Sequence, residues 1–198
     1  MPQLLVATTN VGKQKEIQVL LSACGYDLVF PQDLSAVADL AVEETGETFA
    51  ENALLKAQAF AEKSGLLTVA DDSGLIVTAL DNFPGVRSGR WLKGTGTERA
   101  QGIIQKITSV ADRTAAFVTV ACLYNPDTQE AEYFEGKIVG TLSDELRGTG
   151  GFEYDYIFIP DGYTKTFAEL GVAAKNEFSH RAIAFKKVNE FLRATPLT

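Results

Sequence analysis

The chain is poor in the residues that most often announce a mechanism. It has one histidine, His180, which excludes any multi-histidine metal site. Its two cysteines, Cys24 and Cys122, lie far apart in apolar surroundings and form no C-x-x-C pattern. They read as reduced core residues of a cytoplasmic protein rather than as a disulfide framework. No apolar run reaches the ~18 residues needed to span a bilayer, and "MPQLLVATTN" turns polar too early for a signal peptide. No membrane partner is therefore expected. Positive charge is also scarce: 18 Lys and Arg stand against 26 Asp and Glu, for a net charge of -8. That argues against a broad nucleic-acid surface, which needs a basic face, and makes any local cluster of cations worth noticing. Repeats, low-complexity tracts and linkers are absent too. What remains is an ordinary globular composition, 45% hydrophobic and 22% charged, over 198 residues, enough for one sizeable domain spanning 1–198, or one domain with two lobes.

The hydrophobic pattern begins strand, helix, strand, helix, strand. "LLVAT" (4–8) is a short apolar strand, and Asn10 is a good N-cap for the helix that follows. There Ile17, Leu20, Leu21 and Cys24 make one buried face and Gly25 is the stop. "YDLVF" (26–30) is a second strand and 31–46 a loop. Thr48 opens a T-x-x-E capping box with Glu51, ahead of a helix that Gly65 ends. "LLTVA" (66–70) is a third strand, which would deliver Asp71 and Asp72 at its carboxyl end. Thr97 is expected to cap a helix over 98–108. Two long strands, 114–124 and 131–142, flank an Asn-Pro-Asp turn and predict a hairpin. A glycine-rich loop (147–158) precedes a final helix from Ser179, with Ala184, Phe185, Val188, Phe191 and Leu192 as its buried stripe. The fold class is α/β, with a parallel part and an antiparallel part.

Four stretches carry chemistry. In "TTNVGK" (Thr8, Thr9, Asn10, Val11, Gly12, Lys13) a strand becomes a helix, and unpaired N–H groups there suit an anion. Lys13 and Lys15 oppose the helix dipole unless a polyphosphate is bound. The alternative is a solvated cap with two surface lysines. The stretch is no Walker A loop, because Gln14 follows Lys13 and the earlier glycine is missing. The acidic set Asp71, Asp72, Glu43 and Glu44 could hold magnesium, which is commonly bound by one or two carboxylates plus phosphates. Alternatively "DDSG" is a plain turn and the glutamates are an exposed loop. "GTGGFEYDY" combines backbone freedom with aromatics able to stack on a base, or else is a turn with core aromatics. In "AAKNEFSHR", Lys175, His180 and Arg181 crowd the start of a helix capped by Ser179. There an arginine fork could meet a carbonyl or a phosphate. "KGTGTERAQG" fails as a dinucleotide fingerprint, since Arg99 occupies the third glycine position.

In this order the stretches resemble the inosine triphosphate pyrophosphatase family, the XTP/dITP diphosphatases. The family pattern T-x-N-x-x-K is met by Thr8, Asn10 and Lys13, E-x-x-G by Glu43 and Gly46, and D-D-S-G by Asp71, Asp72, Ser73 and Gly74. Pro84, Gly85, Ser88 and Arg90 answer P-G-x-x-S-x-R. Gly150, Gly151, Phe152, Tyr154 and Asp155 answer most of G-G-F-G-Y-D-P, and Lys175, Asn176, Ser179, His180 and Arg181 answer K-N-x-x-S-H-R. The resemblance implies a long curved mixed β-sheet flanked by helices, in two lobes with a central substrate cleft, assembled as a homodimer. It implies magnesium-dependent hydrolysis of deaminated purine nucleotides (ITP, dITP, XTP) to the monophosphate and pyrophosphate. It implies that residues 8–13 hold the triphosphate and that Glu43 binds magnesium, with adjacent Glu44 not excluded. Asp72 would be metal ligand and general base, supported by Asp71, and Ser73 would contact substrate. Phe152, Glu153, Tyr154 and Asp155 would line the base pocket, with Lys175, His180 and Arg181 completing the site. Arg181 or a backbone N–H is a candidate donor to the 6-oxygen that separates ITP from ATP.

Two departures stand out. Glu153 and Tyr156 replace a glycine and a proline of the family loop, and Gly89 replaces a usual alanine before Arg90. If the replaced glycine has positive φ, Glu153 strains the loop by ~1 kcal/mol or more. It also brings negative charge near the substrate. Alternative readings are therefore a pyrophosphatase with pyrimidine preference, or a nucleotide-binding module without catalysis.

Overall fold

A computed structural model describes residues 1–195. The chain forms β1 (Gln3–Val6), α1 (Val11–Leu20), β2 (Asp27–Val29), α2 (Phe49–Ser64) and β3 (Thr68–Val77). Then come β4 (Phe83–Pro84), α3 (Gly96–Lys106), β5 (Thr114–Asn125), β6 (Glu130–Leu142), β7 (Phe158–Pro160), α4 (Phe167–Phe178) and α5 (His180–Ala194). The strands run in the order β2-β1-β3-β5-β6-β7, with β4 also on β3. β1 pairs in parallel with β2 and β3, whereas β3–β4 and β6–β7 are antiparallel. The mixed α/β class expected from the pattern is what forms.

Two compact units make up the chain. The first holds 1–72, 119–136 and 181 onward, and the second 73–118 and 137–180. In the first, alternation along β1 sorts the core. Leu4 and Val6 pack with Ile17 of α1, with Leu21 at its C-cap, and with Ala184, Phe185, Val188 and Leu192 of α5. Leu5 and Ala7 face the other way, onto Ala53, Ala57, Phe60 and Ala61 of α2. A strand buried on both faces reads as a continuous apolar run because successive side chains point to opposite sides. Burying each of the larger side chains contributes about 1.5–3 kcal/mol. In the second unit Leu75, Val77, Ile103, Ile107, Phe117, Leu142, Tyr154, Phe158 and Phe167 form one cluster.

The helix signals held where capping chemistry was read correctly. Asn10 caps α1, accepting from Lys13 N at 3.1 Å. Thr48 and Glu51 form the expected box, and Gly65 closes α2 with φ 71. The cap of α3 is Thr95 rather than Thr97: Thr95 takes the N–H of Glu98, whose carboxylate returns to Thr95 N. A third box, Thr166 with Glu169, starts α4, which the periodicity did not suggest. Gly171 (φ 84) breaks its helical pattern, and β7 is likewise unanticipated. Consequently Lys175 lies in the last turn of α4, not at a helix start, and Ser179 is the C-cap of α4 directly before α5.

The largest difference concerns the aspartates. β3 does not end before them but runs ten residues through them. Its parallel pairing with β1 stops at Val69 and its antiparallel pairing with β4 begins at Ile76. Asp71 and Asp72 thus lie mid-strand, just beyond the carboxyl end of β1. The apolar residues on both sides keep the strand going, and it passes from the first unit to the second at Asp72–Ser73.

Candidate active site

The first unit gathers a charged constellation around residues 8–16, 44–56, 71–72 and 181. Thr8, Gly12 and Lys13 are half-buried at the β1–α1 junction, while Thr9, Asn10, Val11 and Lys15 are exposed. No acidic residue occupies the first turn of α1, so no carboxylate of that turn meets its positive end. Lys13 Nζ reaches the buried Asp71 carboxylate at 2.9 Å. Asp71 also receives Arg181 at 3.4 Å, and Arg181 in turn donates to Glu16. All three of Asp71, Arg181 and Glu16 are buried. Burial by itself would raise the Asp71 carboxyl, but Lys13, Arg181 and Lys56 outweigh it and hold it well below the usual carboxylate range. Lys13, desolvated, is pushed down despite Asp71.

Asp72 has a different environment. Asn52 Nδ2 donates to its Oδ2 at 3.2 Å, and Lys56 Nζ stands 3.5 Å from its Oδ1. Lys56 also pairs with Glu44 at 2.5 Å. Desolvation pushes the Asp72 carboxyl up, with Glu44 adding to that, against the pull of Lys56 and Lys13. Lys56 is itself raised, because Asp72, Asp71 and Glu44 overcome the cost of its burial. The two adjacent aspartates therefore split, one firmly ionised and one with raised proton affinity, as the acid–base groups of enzymes commonly do. Glu43 is exposed and Glu44 half-buried.

The second unit holds Ser73, Phe152, Glu153, Tyr154, Asp155, Lys175 and His180. A short 3-10 turn, Glu153–Tyr156, follows Phe152. Asp155, buried, accepts from Phe152 N at 2.8 Å and from Lys175 Nζ at 2.7 Å. The same ammonium lies 4.4 Å from the Phe152 ring centroid, so this lysine both neutralises Asp155 and stacks the aromatic. Tyr154 is anchored by its hydroxyl, which donates to Ser88 O at 2.7 Å and accepts from Trp91 Nε1 at 2.8 Å. His180 is stacked on Phe117, centroids 4.5 Å apart. Glu153 does take positive φ, 53°, a conformation that costs a non-glycine residue about 1–2 kcal/mol. Its charge is not left bare, because Arg99 grips both carboxylate oxygens, at 2.6 and 2.8 Å.

Glu16, Asn52, Lys56 and Arg99 were not singled out from the sequence. Asn52 and Lys56 are one turn apart and flank the alanine stripe of α2. A polar side chain directly before an alanine of that stripe was the available signal, and the structure buries Asn52 completely. No group of three or more His, Cys, Asp or Glu side chains comes together among the described residues. No helix there is long and apolar enough to cross a membrane.

Comparison with known proteins places this arrangement in a family. The Ham1 family model matches residues 4–191. The chain is 44% identical over 199 residues to the dITP/XTP pyrophosphatase of Streptomyces coelicolor, covering 98% of each. It is 40% identical over 202 residues to that of Aquifex aeolicus, covering 96% of each. Among solved structures, a HAM1 protein from Coxiella burnetii superposes with a TM-score of 0.89 at 34% identity, over 98% of this chain and 100% of that one. The chain belongs to the Ham1 family.

Proposed function

We propose that the protein is an enzyme, a nucleoside triphosphate diphosphatase, that hydrolyses deaminated purine nucleoside triphosphates (ITP, dITP, XTP) to monophosphate and pyrophosphate. The observation that carries the reading is Asp72, a buried carboxylate of raised proton affinity held by Asn52 and Lys56. It sits in a chain that matches named dITP/XTP pyrophosphatases end to end. One water is consumed for each α–β phosphoanhydride bond broken. Asp72 accepts its proton, and burial makes this carboxylate a stronger base than an exposed one. Residues 8–13 receive the triphosphate through α1's N-terminal N–H groups and Lys13. Ser73 contacts the substrate, and Phe152 and the turn after it take the base, with Lys175 fixing Phe152.

The carboxylates suit magnesium. The site offers hard oxygen donors, and among the described residues no group of three His, Cys, Asp or Glu forms a cage. An ion held by one or two carboxylates and completed by phosphate oxygens fits that donor set. Asp72 and Glu43 would hold it, Glu44 being committed to Lys56. Bound magnesium supplies charge neutralisation of the phosphates and a lowered pKa for water. Arg181 is 2% exposed and paired with Glu16 and Asp71. Its part in this reading is to fix Asp71 rather than to meet the base. Homodimer assembly belongs to the same reading and is tested by light scattering.

The decisive assay supplies magnesium with ITP, XTP, GTP, ATP, dTTP and UTP separately and identifies both products. ITP or XTP giving monophosphate plus pyrophosphate at least about tenfold faster than ATP is the expected result. Preference for a pyrimidine would overturn the base assignment, and nucleotide binding without turnover would overturn catalysis.

A further inference from the structure

Arg99 lies in the first turn and a half of α3, where a cation opposes the helix dipole, and its side chain is only 10% exposed. All three nitrogens of its guanidinium are nevertheless engaged, Nη1 also reaching Leu92 O at 3.4 Å. Nε and Nη2 fork onto Glu153 at 2.8 and 2.6 Å, and Nη1 donates to Gly94 O at 2.7 Å. The start of α3 presses against the same turn: a Cβ added to Gly96 would come 2.8 Å from the N and Cα of Glu153. So a residue with a left-handed backbone, at φ 53, is held by a planar bidentate clamp and a close backbone approach, immediately after Phe152. A bidentate fork restrains orientation as well as distance.

We propose that Arg99 is a positioning residue for base recognition. By clamping Glu153 it keeps the Phe152–Asp155 turn in one conformation and withholds the Glu153 carboxylate from the base. The proposal rests on the function given above. Its chemistry is specific. A deaminated purine presents an oxygen acceptor at position 6, whereas adenine presents an amino donor. A carboxylate released toward position 6 would repel that oxygen and attract the amino group. The clamp therefore favours deaminated bases without touching them.

The sequence contains a single tryptophan, and Trp91 is hydrogen-bonded to Tyr154 of this turn. Its emission reports the turn independently of catalysis. The full-length protein would be compared with Arg99→Met, Arg99→Lys, Glu153→Gly and the Arg99→Met/Glu153→Gly pair, reading Trp91 emission and the KM and kcat for ITP and ATP with magnesium. Arg99→Met should shift Trp91 emission, raise KM for ITP about tenfold while kcat moves less than about threefold, and lower the ITP-over-ATP preference about tenfold. Arg99→Lys, a point charge without a fork, should restore these only in part. In the Glu153→Gly background, where glycine accepts the backbone angle and no carboxylate needs holding, Arg99→Met should change KM less than about threefold. Unchanged emission and KM in Arg99→Met would overturn the proposal. So would an equal kcat loss for ITP and ATP, or full additivity in the pair. If the wild type hydrolyses no nucleotide, the proposed function fails. The Trp91 cycle still decides the clamp: coupling between 99 and 153 supports it and additivity overturns it.

Discussion

Lys13 Nζ lies 2.9 Å from Oδ2 of Asp71, a residue 58 positions further along the chain. The pair ties the start of α1 to the middle of β3 and shows why a lysine can stand where the helix dipole disfavours it. The buried carboxylate compensates it, and a phosphate would do so again from the open side.

The adjacent aspartates should behave oppositely. Asp71→Asn leaves Lys13 and Arg181 buried without their shared anion, so unfolding in denaturant should show a loss of about 3–5 kcal/mol. Asp72→Asn neutralises a group whose charge the fold disfavours. Its stability should stay within about 1 kcal/mol of wild type, while kcat for ITP falls by more than about a hundredfold. Equal stability losses in the two variants would contradict the electrostatic split.

Chelation of magnesium by EDTA should abolish pyrophosphate release, and adding magnesium back should restore it. Glu43→Gln should raise the magnesium concentration for half-maximal rate beyond the roughly tenfold typical of losing an outer-shell partner. Glu44→Gln should act mainly through Lys56. If Glu44→Gln gives the larger shift in magnesium requirement, the ligand is Glu44.

Acid sensitivity should come in part from the three capping boxes. Glu51, Glu98 and Glu169 accept from the N–H of Thr48, Thr95 and Thr166 at 3.0, 2.5 and 2.7 Å. Those backbone bonds, with that of Glu47 N first for Glu51, hold each carboxyl below its ordinary 4.5. A folded-state pKa below the unfolded one means stability present above pH 4.5 and lost as pH falls through the folded values. Thermal melts of the wild type minus a triple Glu→Gln variant should diverge above pH 4.5 and converge as the pH falls below it. Asp71 is common to both chains and cancels. A difference that does not depend on pH would exclude the boxes as its source.

Neither cysteine should react in the folded state. Cys24 and Cys122 are 2% and 0% exposed, and burial pushes the Cys122 thiol up to about 12. An aromatic disulfide reagent at pH 8 should label no thiol in native protein and both after unfolding. Rapid native labelling of Cys122 would mean that β5 does not pack as described.

Much of this architecture was legible from local patterns. β1, the Asn10 cap, α2 with its Thr48–Glu51 box and Gly65 stop, the β5–β6 hairpin and the α5 stripe all follow from periodicity and cap chemistry acting within a turn or two. The misreadings have physical reasons. "GTGTER" offers two threonines, and only Thr95 has a glutamate three residues on. Lys175 looked like part of a helix start because α4 is split at Gly171, which hides its period. A double aspartate reads as a turn, yet the apolar residues on both sides carried β3 through it.

The sequence by itself determined the class of the fold and most of its main elements, since each depends on neighbours in the chain. Only the tertiary structure decided what the charges do. Asp71 is held ionised by Lys13 and Arg181, Asp72 is raised by burial beside Asn52 and Lys56, and Glu153 is clamped by Arg99. These partners stand from 16 to 110 positions apart along the chain. Desolvation and Coulomb energy depend on distance through space, which no local pattern encodes.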